Sequence, residues 1–262
     1  MKFIRNIAVA LSFSTLALTG VSAAGTAEYP LQVDWSFNGP LGKFDLPSAQ
    51  RGWQVYKQVC SSCHSLKYFR FRDLAGIGYD EDMIKAFAAE YEVDGEPDEY
   101  GDETVRSALP QDVLPAPFAN DNAARSANGG ALPPDLSLMV KARHDGANYV
   151  YSLMVGYNDA PADFELSDGL HYNPYFKGSQ IAMAGPLAEG LIDYEDGTAA
   201  TPDQMAKDVV QFLQYVAEPS LQERHEMGIK VLLFLALLTL LLYISMKVIW
   251  KPVKEGKNFY EE

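Results

Sequence analysis

The chain runs to 262 residues, of which 48% are apolar and 21% charged, with a formal charge of −14 from 21 Lys and Arg against 35 Asp and Glu. That length fits one or two domains, and the composition excludes a mainly disordered chain, a collagen-like repeat and a polytopic membrane protein. The acidity argues against a nucleic-acid binder, because backbone phosphates would be repelled, and with only Cys60 and Cys63 there is neither a disulfide scaffold nor a four-thiolate zinc or iron–sulfur site.

The first segment, residues 1–24, reads as a cleaved secretory signal. Lys2 and Arg5 supply the positive start, Ile7 to Leu18 the apolar stretch, and Val21-Ser22-Ala23 or Ser22-Ala23-Ala24 the small residues a signal peptidase requires. An N-terminal membrane anchor is the competing reading, but the apolar stretch is short for a span. Further on, Ser48 is placed to cap a helix whose apolar positions include Trp53, Tyr56, Val59 and Cys60.

That helix runs into Cys60-Ser61-Ser62-Cys63-His64, a C-x-x-C-H signature for covalent haem attachment. Two thiols three positions apart lie on one side of a helical turn and can form thioethers to two vinyl groups. The adjacent imidazole then becomes the proximal iron ligand. A thiol–disulfide pair would call for a preceding βαβ unit, and a zinc site for a second ligand pair. The chain has neither pattern.

The next segment, residues 90–103, holds eight acids and no Lys or Arg: Glu90, Glu92, Asp94, Glu96, Asp98, Glu99, Asp102 and Glu103. A like-charge run predicts a solvated, poorly ordered loop. Its field would also steer a basic partner toward the domain. From Asp135 to His144, helical spacing puts Leu136, Met139, Val140 and Arg143 on one face. An inward Arg143 needs a buried anion such as a haem propionate; near the helix end it could equally reach water and cap carbonyls.

A low-spin electron carrier needs a sixth iron ligand. The other candidates are His144, His171, His225 and the methionines. Met183 is preferred, because Ile181-Ala182-Met183-Ala184-Gly185-Pro186 has no helical apolar pattern and a loop can present a thioether freely. Met139 and Met154 have helical spacing and suit a core. Methionine ligation would raise the potential.

A second helix is expected from Thr201 to Ala217, with Thr201 as cap, Pro202 in the first turn and Met205, Val209, Phe212, Leu213 and Val216 along one face. Val231 to Met246 then carries no charge. Extended over residues 227–250, the helix reaches about 36 Å, enough to cross a bilayer core of about 30 Å. Lys247, Lys251, Lys254 and Lys257 follow the uncharged run, which predicts a cytoplasmic tail over 251–262 and a domain over 25–226 outside, in the periplasm of a bacterium. Both ends are net positive, so the chain between them carries −18.

These segments together resemble the cytochrome c1 family, the haem-bearing subunits of the quinol–cytochrome c reductase or cytochrome bc1 complex. The resemblance covers nearly the whole chain after the signal. It is carried by RGWQVYKQVCSSCHSL from Arg51, ANGGALPPDLS from Ala127, KARH from Lys141, NPYF from Asn173, IAMAGPL from Ile181 and AKDVVQFLQYVAEP from Ala206. It implies a mainly α fold: a class I cytochrome c-like haem domain with long irregular insertions, plus one C-terminal transmembrane helix. It implies one covalently bound haem c on Cys60 and Cys63, with His64 and Met183 as axial ligands. Arg143 matches a family arginine at a haem propionate, and Tyr149, Asn128 and Pro133 match pocket positions. Some bacterial members carry an extra disulfide, for which this chain has no cysteines left.

The family resemblance also implies partners: cytochrome b, a Rieske iron–sulfur protein as electron donor, a soluble basic-faced c-type cytochrome as acceptor, the lipid bilayer of the bacterial inner membrane, and a dimeric complex. The work is respiratory or photosynthetic electron transport. No P-loop, Rossmann fingerprint, zinc-protease helix or nucleophile elbow occurs, so the chain reads as a redox subunit without a catalytic site of its own. The alternatives are a free-standing anchored cytochrome feeding a terminal oxidase, and a haem-free thiol or structural module.

Overall fold

The computed structural model describes residues 27–256. The expected signal over 1–24 and the end of the expected tail lie outside the described residues. Seven α-helices and two small hairpins form the described chain: α1 Leu46–Gln58, α2 Glu81–Ala89, β1 Glu92–Asp94, β2 Val105–Ser107, α3 Asp121–Ala127, α4 Met139–Ala142, α5 Gly146–Val155, β3 His171–Tyr172, β4 Gln180–Ile181, α6 Pro202–Ala217 and α7 Leu221–Lys254. The architecture is mainly α with long irregular connections, as the sequence leads one to expect.

The core is the crossing of α1 and α6. Helix α1 starts two residues before Ser48, with Pro47 in its first turn, where a missing N–H costs nothing. Ser48 does not cap it; its hydroxyl donates to the Asp45 carboxylate at 2.6 Å. Helix α6 starts as its sequence predicts, with Thr201 Oγ1 accepting the Gln204 amide at 3.2 Å. At the crossing, a Cβ on Gly52 would overlap the backbone carbonyl of Asp208 and the Phe212 side chain, so only glycine lets the two backbones come this close. Trp53, Phe69 and Phe212 fill the crossing with ring centroids 5.5–6.1 Å apart.

One ion-pair network bridges the crossing. The Arg51 Nε and Nη2 donate to the fully buried Asp208 carboxylate at 2.9 and 3.0 Å, and Nη1 donates to Asp196 at 2.8 Å. Helix α5 packs on α6 from the other side, and the extended N-terminal segment lies against it. Asn148 Oδ1 accepts from the Trp35 indole at 2.7 Å and the Val33 amide at 3.1 Å, and Ser152 Oγ accepts from the Leu31 amide at 2.7 Å.

Two expectations give way. The helix predicted over Asp135–His144 shrinks to the single turn of α4, because Arg143 turns extended (φ −121°, ψ 145°) and Asp145 turns left-handed (φ 55°). Arg143 therefore leaves the face shared by Leu136, Met139 and Val140, and His144 stands in a turn between helices. The acidic run is also more ordered than a loop. Residues 92–94 pair antiparallel with 105–107, and Asp98 Oδ1 closes the turn by accepting the Tyr100 and Asp102 amides at 2.8 and 3.0 Å.

Helix α7 spans 34 residues, and its apolar stretch has no buried share inside the described chain. It is long and apolar enough to cross a membrane, and contains the expected span of 227–250. Its first turn is clasped to the domain. Glu218 pairs with Lys141 at 3.4 Å and with Arg224 at 2.8 Å, the Phe44 amide donates to Gln222 at 3.2 Å, and His225 Nδ1 lies 3.1 Å from the Gly42 carbonyl oxygen.

Candidate functional site

After α1 the backbone tightens into a 3-10 turn, Cys60–Ser62, and both the Cys63 and His64 amides donate to the Cys60 carbonyl, at 3.1 and 2.9 Å. The serines between the cysteines serve this turn: Ser61 Oγ donates to Lys57 O at 2.7 Å and Ser62 Oγ to Val59 O at 2.9 Å. Cys60 and Cys63 are both half-buried free thiols. Burial, and secondarily the neighbouring Cys63, push the Cys60 thiol up to about 12. Disulfide-exchange cysteines have the opposite property, a lowered pKa that supplies thiolate.

His64 is held by its ring and by its backbone. Its Nδ1 lies 2.7 Å from the Pro134 carbonyl oxygen. A carbonyl only accepts, so Nδ1 carries the proton and Nε2 keeps its lone pair. Burial lowers the imidazole pKa, against opposing effects of the Pro134 bond and the Asp135 charge, so the ring is neutral near pH 7. The Tyr56 hydroxyl donates to the His64 carbonyl at 2.8 Å.

The segment facing this turn is 133–137. Pro133 is half-buried next to the accepting Pro134. Asp135 accepts from the Ser65 hydroxyl and from the Lys67 and Ser137 amides. Those bonds hold the Asp135 carboxyl below the usual range although burial, the largest influence, pushes it up. Asn128 ends α3, with Nδ2 donating to Ala124 O at 2.7 Å.

Met183 belongs to a second group. It is half-buried in the segment after β4, and its carbonyl accepts from the Tyr157 hydroxyl at 3.0 Å. The Tyr157 ring also covers Gly185, where a Cβ would stand 3.2 Å from the ring. Tyr149, half-buried on α5, is close enough to raise the Tyr157 phenol further above its ordinary value, after burial. No hydrogen bond among the described residues joins the Met183 group to the His64 group. A cleft of about 470 Å³ lies beside it, lined by Met154, Tyr157, Leu187 and Thr201, and touches neither cysteine.

Arg143 is exposed, makes no ion pair among the described residues, and donates from Nη1 to Ala142 O at 3.3 Å. Of the eight acids of residues 90–103, only Glu90, which ends α2 ahead of the hairpin, has a cationic partner among the described residues, Lys57 at 2.6 Å. Glu92, Asp94, Glu96, Asp98, Glu99, Asp102 and Glu103 are exposed.

Sequence reasoning missed Tyr157 and Asp135. Tyr157 follows the end of α5 with no motif around it. Asp135 was visible within the PPDLS segment, but its partners are about 70 positions away. The donor set fits a covalently held haem: two free thiols on one turn, an imidazole with Nε2 available, and a thioether on a braced loop.

The chain is similar over most of its length to known proteins. The Cytochrome C1 family model matches residues 35–253. Cytochrome c1 of Rhodospirillum rubrum is 46% identical over an alignment covering 91% of this chain and 94% of that protein. A mitochondrial protein of Arabidopsis thaliana named cytochrome c1 2, heme protein, is 49% identical over 94% of this chain and 80% of its own length. The mitochondrial cytochrome c1 heme protein of Saccharomyces cerevisiae is 48% identical over 85% of this chain and 72% of its own.

Proposed function

The chain belongs to the cytochrome c1 family, and from that premise we propose that it works as the electron-transfer subunit of a cytochrome bc1 complex, taking an electron from a Rieske iron–sulfur protein and passing it to a soluble c-type cytochrome. It is a redox subunit of that complex and not a catalyst on its own. The observation that carries the site assignment is the Cys60–His64 turn, with two free thiols and an imidazole whose Nδ1 is committed to Pro134.

In this reading Cys60 and Cys63 hold one haem c covalently, His64 is its proximal ligand through Nε2, and Met183 is the second axial ligand. The haem, when bound, supplies an iron that changes between ferric and ferrous states. The chain does the rest. Tyr56 and Pro134 fix the proximal residue, Tyr157 braces the methionine segment, and Tyr149, Asn128 and Pro133 shape the pocket. Arg143 has no carboxylate partner among the described residues, which supports a role opposite a propionate. The exposed acids of the β1–β2 hairpin supply a field for a basic-faced acceptor.

The length and apolar composition of α7 support a single-pass anchor. The lysines at its end fit a cytoplasmic C-terminus and a periplasmic haem domain, and the N-terminal pattern fits removal of the first 24 residues as a signal. Cytochrome b and a second copy of the complex complete the assembly. Three measurements test the reading. A pyridine haemochrome spectrum of the denatured chain reports covalent haem; a band negative for haem refutes it. M183L is expected to lower the midpoint potential and to open a site for carbon monoxide, and no change in either rules Met183 out. Cytochrome b and a Rieske protein are expected to co-purify. Their absence favours a free-standing cytochrome.

A further inference from the structure

Asp135 follows directly on the carbonyl that receives the His64 imidazole N–H. Its Oδ2 accepts from the Ser65 hydroxyl and the Lys67 amide, both at 2.8 Å, and its Oδ1 accepts from the Ser137 amide at 2.9 Å. Two further bonds run alongside: the Leu136 amide to Ser65 O at 2.9 Å and the Tyr68 amide to Ser137 Oγ at 3.1 Å. One carboxylate thus ties the chain just after His64 to the chain just after Pro134. A neutral acceptor would satisfy the same donors. None of the three donors is a cation, and Asp135 makes no ion pair among the described residues. A fixed negative charge is therefore left uncompensated in a half-buried place beside the ring, where solvent screens it less than at the surface.

We propose that Asp135 is a positioning residue for the axial imidazole, and that its charge lowers the reduction potential of the haem His64 would hold. This rests on the reading of His64 as the proximal ligand. The tie keeps Pro134 O on Nδ1–H, so the imidazole plane cannot turn without breaking it, and the bonded ring is the stronger electron donor to iron. The charge favours the more positive ferric state. Both effects act in the same direction.

The test uses the full chain in its detergent-solubilised complex. Three variants separate charge from shape: D135N keeps an acceptor and loses the charge, D135E keeps the charge, and S65A removes one donor only. The readouts are the midpoint potential and the low-spin ferric electron-spin resonance, which reports the imidazole orientation. D135N is expected to shift the reduction equilibrium about tenfold toward the reduced form, which is about 59 mV upward for one electron. D135E, which keeps the charge, is expected to leave the potential near that of the parent. S65A is expected to alter the resonance while moving the potential much less than D135N. An unchanged potential in D135N overturns the proposal, as does an equal shift in D135N and S65A. If D135N does not assemble, an unaltered resonance in S65A overturns the positioning role. A parent complex whose spectrum lacks histidine ligation defeats the His64 reading itself, a failure visible before any variant is made.

Discussion

Met183 and Cys60 are held by different means. Cys60 is kept protonated by burial on a tight turn, whereas the Met183 backbone is held across the loop by one phenol hydroxyl. Burial raises that phenol, so Tyr157 stays a donor throughout the physiological range. Y157F removes one hydrogen bond, about 1 kcal/mol, and loosens the segment that would present the Met183 thioether in the proposed site. The ferrous complex of Y157F is expected to bind carbon monoxide to a greater extent than the parent. Equal binding in the two would show that the hydroxyl does not brace Met183 as the proposed ligand. Neither Tyr157 nor the Asp135 tie was legible in the sequence, for one physical reason: each acts on a partner far along the chain, and only folding sets the spacing. The turn of Cys60, Cys63 and His64 was legible because the chemistry proposed for it needs a spacing confined to one turn.

Among the elements, α1 and α6 depend on each other through Gly52 and Arg51. Arg51 is the only cation on the fully buried Asp208 carboxylate among the described residues. R51Q leaves that charge nearly uncompensated, and the cost is about 3–5 kcal/mol, read as a lower denaturant midpoint. Acid weakens the difference. Backbone and side-chain bonds from Thr198, with Arg51, hold Asp196 at about 2. A carboxylate depressed in the fold contributes stability above its unfolded value, near 3.8, and loses it as pH falls toward 2. The gap in melting temperature between parent and R51Q is expected to narrow as pH drops from 4 to 2; a constant gap would remove Asp196 from the account. Helix α6 and the long α7 were readable in outline because caps and uninterrupted apolar patterns specify them locally. The segment 135–144 was not. Its spacing was helical, but the bonds of Asp135 with Ser65 and Lys67 and the left-handed Asp145 override it, and with it falls the shared face assigned to Arg143. The hairpin of 92–107 was hidden by its charge, which said solvated but not unpaired.

For the whole molecule, charge is separated along the chain. The segment ahead of α7 is strongly acidic, and basic residues gather where α7 ends. Replacing Glu92, Asp94, Glu96 and Asp102 with amides leaves the hairpin backbone and the Asp98 turn in place. It is expected to slow reduction of a basic cytochrome about 10-fold at low ionic strength and to flatten the salt dependence. An unchanged rate and slope would remove the hairpin from partner capture. The junction between α6 and α7 carries a different consequence. Only Glu218, Pro219 and Ser220 separate the two helices, and Glu218 grips both Lys141 and Arg224 while Gln222 and His225 hold the segment at Gly42 and Phe44. With α7 fixed in a bilayer, such a domain is a stator. It has no tether to pivot on and no search volume of its own, so whatever reorientation an encounter requires is left to the partner.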